Sequence, residues 1–325
     1  MMNSRTGHLI KTAAGLYGFG VNSVKLINSD VYSPNDIYSF DLNDAEYILR
    51  IATHDADYFN QTAAEMEWLG FLHGRGIPVS LPLPMRDGGL VNSIKYGDKY
   101  HAVCAFEKAD GEECEKSDPN TWNDDVIYDY GLTMGRMHAA TKDFKPSENR
   151  FTRKTFDGSD AFDNYDKLPQ EIKKFADEFV PYLLSLPRTR ETFGLIHNDF
   201  HLNNFFVDDN KVRVFDFDDS LYGYFALDLG IALHHAIGWN PRARPEKSQA
   251  EAEKLINIFM RGYSSANALD DQTLKTIPLF MRYMQLCIFG WDYPEKNEPD
   301  AEYNLVNGLT MQGCRIDEKN FIDIK

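Results

Sequence analysis

The chain has 325 residues, 43% hydrophobic, 26% charged and 13% aromatic, a balance that excludes a disordered or low-complexity protein. This length exceeds what one core usually organises and suits two lobes with a cleft between them. A formal charge of −16 argues against nucleic acid or anionic membrane as the main partner, because either needs a concentrated basic surface.

The amino-terminal MMNSRTGHLIKTAAG lacks the apolar core of a signal peptide, and no later stretch has the length of a membrane span. Residues 7–17 read as a short helix that ends at the glycine-rich YGFG. Three strand-like runs follow, VKLINS, IYSFDL and EYILRIA, separated by the turn signals SPND and LND. AAEMEWLGFLH, residues 63–73, places Met66, Leu69 and Leu72 at helical spacing and stops at Gly74 and Gly76. GGLVNSIKY and YHAVCAFE read as two further strands. The first lobe, residues 1–106, is therefore expected to be an antiparallel sheet carrying one main helix.

EKADGEECEKSDPN is polar and aperiodic and reads as the connection into a second lobe, residues 107–325. There Ile127, Tyr130, Met134 and Met137 mark a helix, and the periodic stretches after Ala226 are helical. The exception is LIHNDFHLNNFFVDDNKVRVFDFDD, residues 195–219. Its apolar runs 205–207 and 212–215 flank a polar tetrapeptide and predict a hairpin. A hairpin places Asn204 beside Asp216, and an amide oxygen with a carboxylate suits Mg²⁺, which takes few protein ligands plus substrate phosphates. Asp216, Asp218 and Asp219 would repel one another without a cation. Scattered Cys104, Cys114, Cys287 and Cys314 show no Cys-x-x-Cys spacing and read as reduced thiols, so the chain is expected to be cytoplasmic.

His197-x-Asp199 followed by Asn204, then Asp216-Phe217-Asp218, has the form of a kinase catalytic loop and its metal-binding triplet. More narrowly, IHNDFHLNN, VFDFDD and the following Ala226-Leu227-Asp228-Leu229 resemble the aminoglycoside phosphotransferase and choline kinase-like superfamily. There the loop commonly reads His-Gly-Asp-x-His-x-x-Asn, and His201 supplies the second histidine. The resemblance implies an α+β, bilobal, protein-kinase-like fold with an antiparallel-sheet N-lobe and a mostly helical C-lobe. It implies transfer of the γ-phosphoryl group of ATP, with GTP not excluded, to a hydroxyl of a small molecule.

In that reading Asp199 orients and deprotonates the acceptor, and His197, which fixes the loop by hydrogen bonding, and His201 belong with it to the catalytic group. Asn204, Asp216 and Asp218 hold Mg²⁺, and Asp228 braces the loop backbone by accepting N–H bonds. Arg50 and Glu65 match the nucleotide-contacting cation and its acidic partner. YGFG precedes the first strand and so reads as a helix-ending turn. The loop in the right place, SDVYSPND, has no glycine, and Ser33 and Asn35 are its candidates for covering phosphates. Cys104, Phe106 and Lys108 are expected along the adenine site. Trp239, Tyr283, Trp291, Asp292 and Tyr293, with Asp219, would build an aromatic and acidic pocket for an amine-bearing alcohol. Three rival readings are a metal-dependent hydrolase using His197, Asp199 and His201 with His234 and His235, a protein kinase acting on Ser or Thr, and a catalytically dead nucleotide-binding module.

Overall fold

The structure, a computed structural model, describes residues 4–28, 35–54, 58–147, 152–238, 245–293, 301–310 and 313–322. It divides into two compact units that interleave along the chain. Met1–Asp110, Phe144–Arg153 and Arg213–Asp218 form the first, and Gly111–Asp143, Lys154–Val212 and Asp219–Lys325 the second.

In the first unit α1 (Ser4–Tyr17) buries Leu9, Ile10, Ala13, Ala14 and Tyr17 in one core with Phe40, Leu49, Ile51, Val103 and Ala105. Gly18 ends the helix with φ of 94°, so YGFG is a helix stop. The sheet is antiparallel in the order β1-β2-β3-β5-β4, from β1 (Lys25–Asn28), β2 (Asn35–Leu42), β3 (Ala45–His54), β4 (Asn92–Tyr96) and β5 (Lys99–Glu107). Asn43 and Asp44 join β2 to β3 with φ of 51° and 63°, a left-handed pair that short polar side chains tolerate. α2 (Tyr58–Gly74) begins five residues before Ala63, because YFNQT carries no apolar period to announce it. Two later segments return to this unit. Phe144 packs against Phe71 at 5.2 Å, and Val214 exchanges backbone bonds with Pro78 and Ser80, both 2.9 Å.

The second unit contains β6 (Glu112–Glu113), α3 (Asp124–Thr141), α4 (Gln170–Leu184), β7 (Phe193–Ile196), β8 (Phe205–Asp208) and β9 (Lys211–Val214), whose last two residues belong to the first unit. β10 (Leu221–Tyr224), α5 (Phe225–Gly238), α6 (Pro245–Ala266), α7 (Asp271–Leu274), α8 (Ile277–Asp292), α9 (Ala301–Asn307) and α10 (Lys319–Ile322) complete it. The β8–β9 hairpin forms as predicted, turning at Asp209 and Asn210 with φ of 48° and 59°. It does not stand alone. β7 and β10 form a two-stranded antiparallel sheet, and β6, inside the expected connection, pairs with β8. FGLI and LYGY are four residues long and interrupted by glycine, so neither shows a period in sequence.

Asn123 caps α3 by accepting from Asp125 and Val126 at 3.0 and 3.1 Å. α3 and α6 meet through glycine. A Cβ at Gly131 would lie 1.9 Å from the Phe259 carbonyl oxygen, and one at Gly262 would lie 2.0 Å from that of Tyr128. Backbone cannot yield as a side chain can, so Gly131→Ala is expected to lower stability by about 3 kcal/mol. Gly15→Ala, at an exposed position of α1 with nothing within 4 Å, should raise it by up to about 1 kcal/mol. Urea unfolding of the two variants checks both signs.

All four cysteines are buried and free, as the spacing suggested. Among the described residues no helix is long and apolar enough to cross a membrane.

Candidate active site

In the second unit the catalytic-loop candidates follow β7. Its buried end delivers His197, itself fully buried, into a loop that cannot continue as strand because Asn198 adopts φ of 68°. That left-handed conformation suits glycine or asparagine. It accounts for asparagine here where the superfamily commonly has glycine. Asp228, fully buried in the first turn of α5, accepts from the backbone N–H of Asn198 at 2.7 Å and of His197 at 3.1 Å. The bracing role expected for Asp228 is thus visible as geometry.

Behind it a buried chain runs outward. His138 Nε2 lies 3.0 Å from Asp228 Oδ2, and His138 Nδ1 lies 2.9 Å from the Tyr263 hydroxyl. That hydroxyl accepts from Asn267 Nδ2 at 2.7 Å, and Asn267 Oδ1 accepts from Lys142 Nζ at 2.8 Å. None of these four partners was foreseen. His138 sits on an apolar helix face with Met134 and Met137, where sequence shows only a core position.

Asp199 gathers the remaining loop residues. Its Oδ2 and its carbonyl both accept from Asn204 Nδ2 at 2.8 Å, and its own N–H donates to His197 Nδ1 at 3.3 Å. His201 Nδ1 accepts from the Asn203 N–H at 3.1 Å, so a neutral ring carries its proton on Nε2, the atom 3.4 Å from Asp199 Oδ2. The His235 ring follows at 5.0 Å from that of His201. Burial pushes the Asp199 carboxyl up, but the His201 hydrogen bond and the charges of His201, His197 and His235 outweigh it, leaving it below its ordinary value. Asp199 is therefore ionised at neutral pH and remains one-third exposed, as a group receiving a hydroxyl proton must be.

Burial and the neighbouring cations hold His235 down at about 4. Among the described residues no three of His, Cys, Asp and Glu converge as a metal site. The zinc-type cluster of the hydrolase reading is not assembled. With Asn204 Nδ2 committed to Asp199, its Oδ1 is the atom left for a hard cation.

The first unit holds the nucleotide-side candidates. Arg50, in β3, is 3% exposed and binds Glu65 of α2 through two parallel bonds of 3.0 and 2.5 Å. Its guanidinium lies 5.2 Å from the Phe106 ring centre and opposite Cys104 in register. Burial pushes the Cys104 thiol up to about 12. Lys108 pairs with Glu46 at 2.6 Å on the exposed surface.

Asp216 adopts φ of 61°, and the Phe217 ring packs edge-on against Trp68 at 5.3 Å. Asp218 Oδ2 accepts from Asn35 at 2.7 Å, Oδ1 accepts from the Tyr58 hydroxyl, and Arg50 lies 3.7 Å away. Burial opposes ionisation of Asp218, but Arg50, Tyr58, Asn35 and Arg153 overcome it and hold its carboxyl below the ordinary range. Tyr58 and Arg153 lie outside every motif and carried no local signal.

In the second unit Trp291 is 45% exposed and donates from Nε1 to Asp163 at 3.0 Å, Asp292 and Tyr293 are half-buried, and Tyr283 is buried. Asp219 is also in the second unit. Ser33 and Trp239 lie outside the described residues.

Comparison with known proteins decides among the readings. The chain is 33% identical over 290 residues to the amicoumacin kinase of Bacillus subtilis strain 168, covering 87% of this chain and 83% of that one. A profile described as the phosphotransferase enzyme family matches residues 24–268. The chain belongs to the phosphotransferase enzyme family.

A solved structure of an amicoumacin kinase in complex with AMP-PNP, Ca²⁺ and Ami matches this phosphotransferase with a TM-score of 0.80 at 26% identity, over 94% of this chain and 92% of that one. A microcompartment-associated aminopropanol kinase shares the fold, with a TM-score of 0.68 at 21% identity over 94% and 95% of the two chains. The bilobal, protein-kinase-like α+β class expected from sequence is thus established. This phosphotransferase is an ATP-dependent kinase with an alcohol group of a small molecule as acceptor.

Proposed function

We propose that this phosphotransferase moves the γ-phosphoryl group of ATP to a hydroxyl of an amine-bearing small molecule, with Mg²⁺ as the divalent ion and the cytoplasm as its compartment. The observation that carries the reading is Asp199, ionised and partly exposed, held by Asn204 and His201 on a loop braced by Asp228. Similarity to kinases of amicoumacin and of aminopropanol, the latter an amino alcohol by name, supports the acceptor class. Free cysteines support a reducing compartment.

An amide oxygen and a carboxylate are donors of the kind a hard cation takes, and in this reading Asn204 Oδ1, in the second unit, and the Asp216 carboxylate, in the first, would supply them. Asp218, with both carboxylate oxygens already accepting, serves in this reading as a tie within its unit. Bound Mg²⁺ supplies neutralisation of charge on the transferred group. Asp199 accepts the hydrogen bond of the acceptor hydroxyl and takes its proton as the new oxygen–phosphorus bond forms and ADP leaves. His201 fixes the Asp199 carboxylate, and His197 fixes the backbone beneath it. Arg50, held by Glu65, contacts the phosphates in this reading, with Asn35 near them. Cys104, Phe106 and Lys108 border the base. Asp219, Trp291 and Asp292 form the acceptor side in this reading, where an aromatic face with carboxylates suits an ammonium group.

The test is melting with and without millimolar AMP-PNP and Mg²⁺, followed by ADP release over a panel of hydroxylated amines. Nucleotide at 100 times its dissociation constant adds about 2.7 kcal/mol of stability, and Asp216→Ala should abolish the Mg²⁺-dependent part. A panel in which only hydroxyl compounds without an amine release ADP would overturn the acceptor class.

A further inference from the structure

Among the described residues three attachments hold the Asp216-Phe217-Asp218 segment within the first unit, two of them Phe217 against Trp68 and the Asp218 carboxylate against Asn35, Tyr58 and Arg50. The third is Arg153, at the end of the segment that returns to this unit after Phe144. Arg153 is 6% exposed. Its Nη1 donates to the Gln61 carbonyl at 3.0 Å and its Nη2 donates to the Asp218 carbonyl.

Both of these acceptors are backbone, so the planar fork fixes two peptide groups. One of them lies a helical turn before Glu65, the partner of Arg50, and the other lies two residues after Asp216. Arg153 therefore ties α2, and with it the Arg50–Glu65 pair, to the segment that carries Asp216. That segment gains from a tie, because Asp216 at φ of 61° holds a left-handed conformation that aspartate tolerates at some cost.

From this geometry we infer that Arg153 is a positioning residue for the divalent ion: by holding the Asp218 carbonyl it keeps Asp216 in its left-handed conformation and its carboxylate set for the metal. This rests on the proposed role of Asp216 as a metal ligand. Arg153 itself touches no substrate in this account.

The test measures Mn²⁺ affinity by electron paramagnetic resonance in the presence of AMP-PNP, for wild type, Arg153→Ala and Arg153→Lys. Loss of an outer partner of a metal ligand should weaken Mn²⁺ binding about tenfold in Arg153→Ala. Lysine can satisfy one carbonyl but lacks the fork, so Arg153→Lys should fall between the two. Turnover should follow the same order as Mg²⁺ is varied, with the KM for the acceptor unchanged. A merely structural arginine would lower the melting temperature and leave Mn²⁺ affinity alone. Wild-type affinity in Arg153→Ala, or in Arg153→Lys where the alanine variant does not fold, overturns the inference. Absence of Mn²⁺ binding in the wild type overturns the metal reading itself and the inference with it.

Discussion

Asp199→Asn is expected to lower kcat by about 10²- to 10⁴-fold while the melting shift produced by AMP-PNP and Mg²⁺ stays at its wild-type size. The amide fills the same volume and can still accept from Asn204 through Oδ1. What it loses is the capacity to take a proton and the negative charge. With that oxygen in the place of Oδ2 the amide still faces His201 Nε2, and its NH₂ group takes the place of Oδ1. The acceptor hydroxyl is left without a partner to orient it, and ATP contacts assigned to other residues are untouched. A pH scan adds a second check. Because Asp199 is held below its unfolded value, its contribution to stability is full above about pH 4 and fades as pH falls through the folded value. Asp199→Asn should flatten that part of the acid limb. Turnover within a few-fold of wild type would remove Asp199 from its assigned role.

The order of elements was legible because the first unit is built from strands and helices with clean periods. IYSFDL and EYILRIA alternate around polar turns, and Met66, Leu69 and Leu72 recur at helical spacing. The catalytic loop was legible for another reason: its residue types are dictated by chemistry at fixed separations, so His197, Asp199, His201, Asn204 and Asp216 stand out in a single chain.

What stayed hidden is long-range or conformational. Arg153 and Tyr58 reach Asp218 across 65 and 160 residues, and His138 reaches Asp228 across 90, distances over which no local pattern survives. β7 and β10 are too short to show alternation, and their pairing depends on which chain lies alongside. The left-handed backbone at Asn198 and Asp216 could be suspected at the first, where asparagine replaces a common glycine. It could not be suspected at the second, since aspartate in that position is explained equally well by metal binding.

Asp228→Ala is expected to cost about 3–5 kcal/mol in unfolding experiments and to abolish measurable turnover even at temperatures where the protein stays folded. The carboxylate accepts from two consecutive backbone N–H groups, that of His197 buried and that of Asn198 partly so, and faces buried His138, so its removal takes the partner from three polar groups. Those N–H groups belong to His197 and Asn198, and the second supports the left-handed turn that sets the direction of Asp199. Loss of the brace therefore reaches catalysis through the backbone, without any contact between Asp228 and substrate. Asp228→Asn separates the two effects: its oxygen can satisfy one N–H, while its amide presents hydrogens to the other. It should recover part of the stability and little of the rate. His138→Ala provides the contrast, because it breaks the chain to Tyr263 on the far side of Asp228 and leaves both loop N–H bonds in place. It should lower stability and leave kcat within a few-fold of wild type. Equal losses of rate in His138→Ala and Asp228→Ala would mean that the whole buried chain, and not the two N–H bonds, positions the loop.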